Sequence, residues 1–119
     1  MVTNTKNPPK KISPRTPENG VPDVAYVFEN CIGCKWTIHV LNQIRGGVCR
    51  PGELVRTATG LSTKVLNERL SKLVRLRVLD KTSYPQIPPR VEYELTPFGQ
   101  RIALILDQVE KLQREMERA

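Results

Sequence analysis

The stretch YPQIPPRVEYELTPFG, Tyr84 to Gly99, decides how the rest of the chain is read. Prolines 85, 88 and 89 lack the amide hydrogen that a sheet ladder requires, so the run from Tyr84 to Arg90 reads as a stiff, exposed connection. On either side of it, VLDKTSY and RVEYELT carry the β-branched and aromatic content of strands. Together these segments predict a hairpin with a long, pre-ordered tip.

Toward the C-terminus, Thr96 stands where a helix N-cap belongs and Pro97 at the first helical position. Phe98, Ile102, Ile105, Val109, Leu112 and Met116 then recur at alternating helical spacings, a continuous apolar stripe. Such a stripe packs on its own chain or on the same helix of a second chain.

Toward the N-terminus, Ser62 is the expected N-cap of STKVLNERLSKLVRLR. Leu66, Leu70 and Leu73 fall on one side of that helix; Lys64, Asn67, Glu68, Ser71 and Arg75 fall on the other. Before it, PGELVRTATG begins with a proline suited to a first turn and closes at Gly60, which makes two helices joined by a tight glycine turn. Val48 and Cys49 are expected as one brief strand. KWTIHVLNQIRGG places Trp36, Val40 and Ile44 on one face, with Gly46-Gly47 as the stop. DVAYVFENC is a short helix capped by Asp23 and interrupted by Gly33.

Residues 1–22 contain five of the ten prolines together with Lys6, Lys10, Lys11 and Arg15. Their apolar content is too low to offset ordering entropy, so they read as a disordered basic arm before a domain over 23–119. With 119 residues and a 39% apolar share, the chain supports one modest core. The formal charge of +7 favours a polyanionic partner. No apolar run approaches a membrane span and no secretory signal opens the chain, so the expectation is a cytoplasmic protein with no membrane role. Cys31, Cys34 and Cys49, odd in number, are expected as reduced thiols.

The order of elements is helix, helix, tight turn, amphipathic helix, hairpin with projecting tip, long helix. This is α+β, mainly α: a winged helix-turn-helix with a two-stranded wing. The second helix of such a pair fits the major groove of double-stranded DNA, and Thr63, Lys64, Asn67 and Glu68 are best placed to meet base edges. Asn67 can bridge adenine, Lys64 can donate to guanine or phosphate, and Glu68 can accept from cytosine. Ser62 and the free amides of the first turn suit a phosphate. Lys35, Lys81 and Arg90 are expected on the DNA backbone, with Arg90 carried by the tip to a phosphate or the adjacent minor groove. The competing reading has Glu68 paired with Lys64 or Lys72, merely solvating the face.

Enzymatic chemistry has no footing in the sequence. No nucleophile with a base, carboxylate pair or phosphate-cradling loop occurs at recognisable spacing, and no cofactor is implied. His39 reads as a semi-buried, hydrogen-bonded residue of an apolar helix. Cys31, Cys34, Cys49 and His39 match no common zinc spacing, so no metal site is assigned, and a metal-responsive regulator is the weaker alternative. A thiol-responsive regulator is the stronger one, because a thiol at Cys31 or Cys34 near a helix N-terminus and Lys35 could have its pKa lowered. A third alternative is a winged-helix module that binds a partner protein.

KWTIHVL, LSTKVLNERLSKLVRLRVLDK and above all YPQIPPRVEYELTPFG resemble the HxlR-type winged helix-turn-helix regulators of bacteria and archaea, over roughly Val24 to Glu115. The resemblance implies a homodimer assembled through terminal helices, the last being a C-terminal dimerisation helix. The stripe from Phe98 through Ile102, Ile105, Val109 and Leu112 to Met116 would then be interface as well as core. It also implies an inverted-repeat operator whose half-sites lie about one DNA turn, roughly 34 Å, apart. Some members of that family sense oxidants through a cysteine in the first helix, at a position that falls near Asp23 here, where no cysteine stands. Gly33-Cys34 occupies the place where members usually carry two glycines.

Overall fold

Asp23 opens the fold as a working cap, its Oδ1 accepting from the Tyr26 amide at 3.0 Å. The computed structural model describes residues 20–119, so most of the basic arm expected over 1–22 lies outside the described residues. Helix α1 (Val24–Val27) runs without a break into a π-helical turn, Phe28–Ile32, and Gly33 ends it as anticipated. Val27, Cys31 and Ile32 face inward from this segment.

Helix α2 (Thr37–Arg45) is one residue shorter at its start than the spacing suggests. Trp36 adopts a left-handed backbone at φ 77°, so its ring reaches the core from the cap and not from the helix proper. Gly46 caps the other end, and Gly47 at φ 107° takes the left-handed turn that favours glycine. The Val48–Cys49 strand does not form as a strand. The Cys49 carbonyl instead accepts a single bond from the Tyr93 amide at 2.9 Å.

Helix α3 (Pro51–Val55) covers only half of the segment expected to be helical. Turns run from Arg56 to Gly60, whose φ of 95° lets the chain swing into α4 (Thr63–Arg75). There the Ser62 hydroxyl accepts from the Val65 amide at 3.1 Å, the predicted cap. Leu66, Leu70 and Leu73 are wholly buried, each contributing about 1.5–3 kcal/mol by burial. This leucine seam fixes which face of α4 is left outside.

Strands β1 (Leu79–Tyr84) and β2 (Arg90–Leu95) pair antiparallel from Leu79↔Leu95 to Tyr84↔Arg90. Leu79 and Tyr93 are buried in the core and Val91 and Leu95 of β2 pack against it, whereas the rest of β1 is exposed or half-buried, so β2 lies against the body and β1 faces outward.

Helix α5 (Pro97–Arg118) starts at a tight corner. The Thr96 hydroxyl donates to the Arg77 carbonyl at 2.6 Å, and the Gly99 amide donates to that hydroxyl at 2.8 Å. A Cβ added at Gly99 would stand 2.1 Å from the Val78 carbonyl oxygen, so only glycine permits this approach. The architecture is the mainly helical winged fold, with its two-stranded wing, that the element order implied.

Candidate nucleic-acid interface

Because the leucine seam binds α4 to the core, Lys64, Asn67, Glu68, Ser71 and Arg75 are presented outward together, and all five are exposed. They line one open depression along with Arg69 and Lys72. Among the described residues Glu68 makes no ion pair, so the reading in which Lys64 or Lys72 neutralises it is not how the face is built. Ser62 and Thr63 are exposed at the helix start, with the Ser62 hydroxyl already engaged as the cap.

Two basic residues that the sequence did not single out for anchoring hold this helix to the preceding turn. Arg69 donates through Nε to the Lys35 carbonyl at 2.8 Å, and Lys72 donates through Nζ to the Asn30 carbonyl. Their signal was weak, since basic residues on a polar helix face usually stay solvated. The Cys34 thiol also contacts the Asn30 carbonyl, at 3.5 Å. Helix α4 is thereby tied to the turn carrying Cys31 and Cys34. Lys35 itself is exposed, with its ammonium 5.4 Å from the Trp36 ring centre.

Arg90 lies at the tip end of the ladder, on the rung that closes the loop, its guanidinium 3.9 Å over the Tyr84 ring and its Nε 3.5 Å from a Glu92 carboxylate oxygen. The cause is the register, which pairs Arg90 with Tyr84 at the last rung of the ladder. Arg50 approaches Glu92 as well, at 3.4 Å. Arg50, Arg56 and Arg90 line, together with Glu53 and the loop residues Gln86, Pro88 and Pro89, a cleft of about 330 Å³ between α3 and the wing. Lys81 is exposed on β1.

The tip proper is Pro85 to Pro89, and its extreme residue is apolar: Ile87 is 99% exposed.

The apolar stripe divides on α5. Ile102 is buried in this chain's own core and Phe98, half-buried, packs against that core. Ile105, Val109, Leu112 and Met116 are all exposed, and Leu104 stands beside them. Between the halves, Asp107 receives two hydrogen bonds of 2.7 Å from Arg45 of α2. That pairing holds the Asp107 carboxyl below the usual carboxylate range.

Cys31 departs from expectation in its chemistry. Burial pushes its thiol up to about 11, outweighing the nearby Lys72, so it is a protonated core residue near neutral pH and not an activated thiolate. Cys34 and Cys49 are half-buried free thiols. His39 bonds the Thr57 hydroxyl at 2.8 Å and meets the Trp36 ring edge-on.

The family model described as HxlR-like helix-turn-helix matches residues 31–119. An uncharacterized HTH-type transcriptional regulator of Synechocystis sp., sll1512, is 42% identical over 78 residues, which are 66% of this chain and 58% of that protein. The chain thus spans somewhat over half the length of the curated relatives it matches first. Among solved structures, one described as a transcriptional regulator of the MarR family from Porphyromonas gingivalis W83 superposes with a TM-score of 0.66 at 36% identity. It covers 89% of this chain and 98% of its own. The redox regulator HypR in its oxidized form gives a TM-score of 0.67 at 27% identity, covering 77% and 94%.

Proposed function

The chain belongs to the HxlR-like helix-turn-helix family, and on that premise we propose that it is a sequence-specific DNA-binding regulator of transcription, acting in the cytoplasm as a homodimer on an inverted repeat. One observation carries the reading. Helix α4 is anchored by three wholly buried leucines and two backbone-directed cations, yet five polar side chains of its outer face are left exposed. A rigid helix with an uncommitted donor and acceptor set is what base recognition requires.

In this reading Asn67 takes adenine, Lys64 takes guanine or a phosphate, Glu68 takes cytosine, and Thr63 lies at the groove edge. Ser62, Lys35, Lys81 and Arg90 serve the backbone, Arg90 from the cleft it shares with Arg50 and Arg56. The dimer forms through Ile105, Val109, Leu112 and Met116. Three turns of helix with no tertiary cover are marginal in water, and a second copy supplies the missing contacts.

Selection of the full chain against a random pool of duplex DNA at near-physiological salt tests this. Enrichment of an inverted repeat is expected. Asn67→Ala should then cost about 1–3 kcal/mol and relax preference at one base position, whereas Arg90→Ala should weaken all sequences and flatten the salt dependence. Identical losses across sequences for both variants would show the roles to be misassigned.

A second reading, regulation through thiols, is favoured by one contact. The Cys31/Cys34 turn supplies the carbonyl that holds Lys72 of α4, and HypR, of similar fold, is a redox regulator. Repeating the selection without reducing agent separates this reading from constitutive binding.

A further inference from the structure

The residue at the middle of the wing loop carries no charge. Ile87 is 99% exposed, whereas Arg90, on the rung that closes the loop, is half-buried. Arg90 is stacked on Tyr84 and held beside Glu92, and Arg50 is held beside the same carboxylate. An isoleucine wholly in water forgoes the burial that usually justifies the residue. Here it is also presented stiffly. Pro85, Pro88 and Pro89 flank it, and the Gln86 amide donates to the Tyr84 carbonyl at 2.9 Å, so little chain entropy remains to be lost on contact.

We propose that Ile87 is an apolar wedge that enters the minor groove beside the base-reading helix, partly unstacking a base step, while Arg50, Arg56 and Arg90 take the phosphates at the groove's rim. The inference rests on the DNA-binding reading above and adds to it a residue that sets preference by deformability. The arrangement fits that groove. Its walls are apolar sugars, its rims are charged, and the known minor-groove wedges are aliphatic or aromatic side chains set among basic ones. Phosphate contact alone would place a cation at the centre of the loop, and this chain places an isoleucine there with Arg90 just behind it, on the rung that closes the loop. An unstacking wedge is favoured where stacking is weakest, so the sites preferred should carry flexible pyrimidine–purine steps in the flanks outside the α4 contacts.

The test uses the full chain and a duplex that the native chain enriches from a random pool, titrated at several salt concentrations, with end-to-end fluorescence transfer reporting the bend. Ile87→Ala is expected to lose affinity on the order of tenfold, with a smaller bend and an unchanged salt slope, because no phosphate contact is removed. Replacing the flanking pyrimidine–purine steps with a stiff A-tract should weaken the native chain by a similar factor and leave Ile87→Ala nearly indifferent, the signature of a coupled pair. Ile87→Lys should steepen the salt slope and lose the flank preference. Thermal melts of both variants should match the native chain, since the tip supports nothing in the core.

Equal affinity and equal bend for Ile87→Ala and the native chain would overturn the wedge and leave the DNA reading standing. A change of oligomeric state in Ile87→Ala with DNA affinity intact would also overturn it, by assigning the tip to a second chain. Failure of the native chain to enrich any duplex would bring down the DNA reading and the wedge with it.

Discussion

Helix α5 contains two different materials in one unbroken run of residues. From Pro97 to Ala103 it is welded to the body: Gly99 lies against the Val78 carbonyl, and Ile102 and Ala103 are buried. From Gln108 onward every residue is exposed, yet the apolar spacing continues unchanged. The first half is shaped by what it touches within the chain. The second keeps its apolar side toward solvent, a pattern that makes physical sense when a partner covers it.

That contrast can be attacked at its strongest point first. Gly99→Ala should cost more than about 3 kcal/mol in urea denaturation, because a methyl group would collide with backbone that has nowhere to move. A loss below about 1 kcal/mol would mean that the corner is looser than described. Next in size, Ile102→Ala should cost about 2–5 kcal/mol through the cavity it leaves. Leu112→Glu, three turns later on the same stripe, should leave the fold of the single chain intact and move the sedimentation coefficient to that of a monomer. Should Leu112→Glu remain dimeric, the distal stripe is not the interface.

The smallest effect belongs to the junction. The Arg45 guanidinium lowers the Asp107 pKa, so the stabilisation it provides is present above the ordinary carboxylate pKa and is lost as pH falls through the lowered value. Asp107→Asn should therefore be slightly less stable than the native chain at neutral pH, with the gap closing in acid and narrowing in high salt. A gap that stays constant with pH would assign the residue a packing role instead.

How much of this was legible in the sequence depends on what kind of information each feature needs. The caps at Asp23, Ser62 and Thr96 are local, and each is used as its spacing suggests. The leucines of α4 were legible because periodicity reports a face. Periodicity does not report depth, which is why Ile102 and Leu112 look alike in sequence and end in opposite environments. The stacking of Arg90 on Tyr84 was not legible for a similar reason: its position beside the prolines is local, but its partners are set by cross-strand register, a non-local property. The Cys31 thiol was read from neighbouring charge, whereas burial dominates its pKa. The clamps from Arg69 and Lys72 join residues far apart in the chain, and no local pattern encodes them.

The weld at Gly99 also bears on measurement in the ordinary sense. In the proposed dimer joined through α5, the two copies of α4 would ride on arms that cannot flex at the shoulder, and the protein would work as a caliper with a fixed opening. One base pair added between operator half-sites would rotate one of them by roughly 35° around the DNA axis. A stiff caliper has no means of following that turn, and the tolerance of half-site spacing should be close to nil.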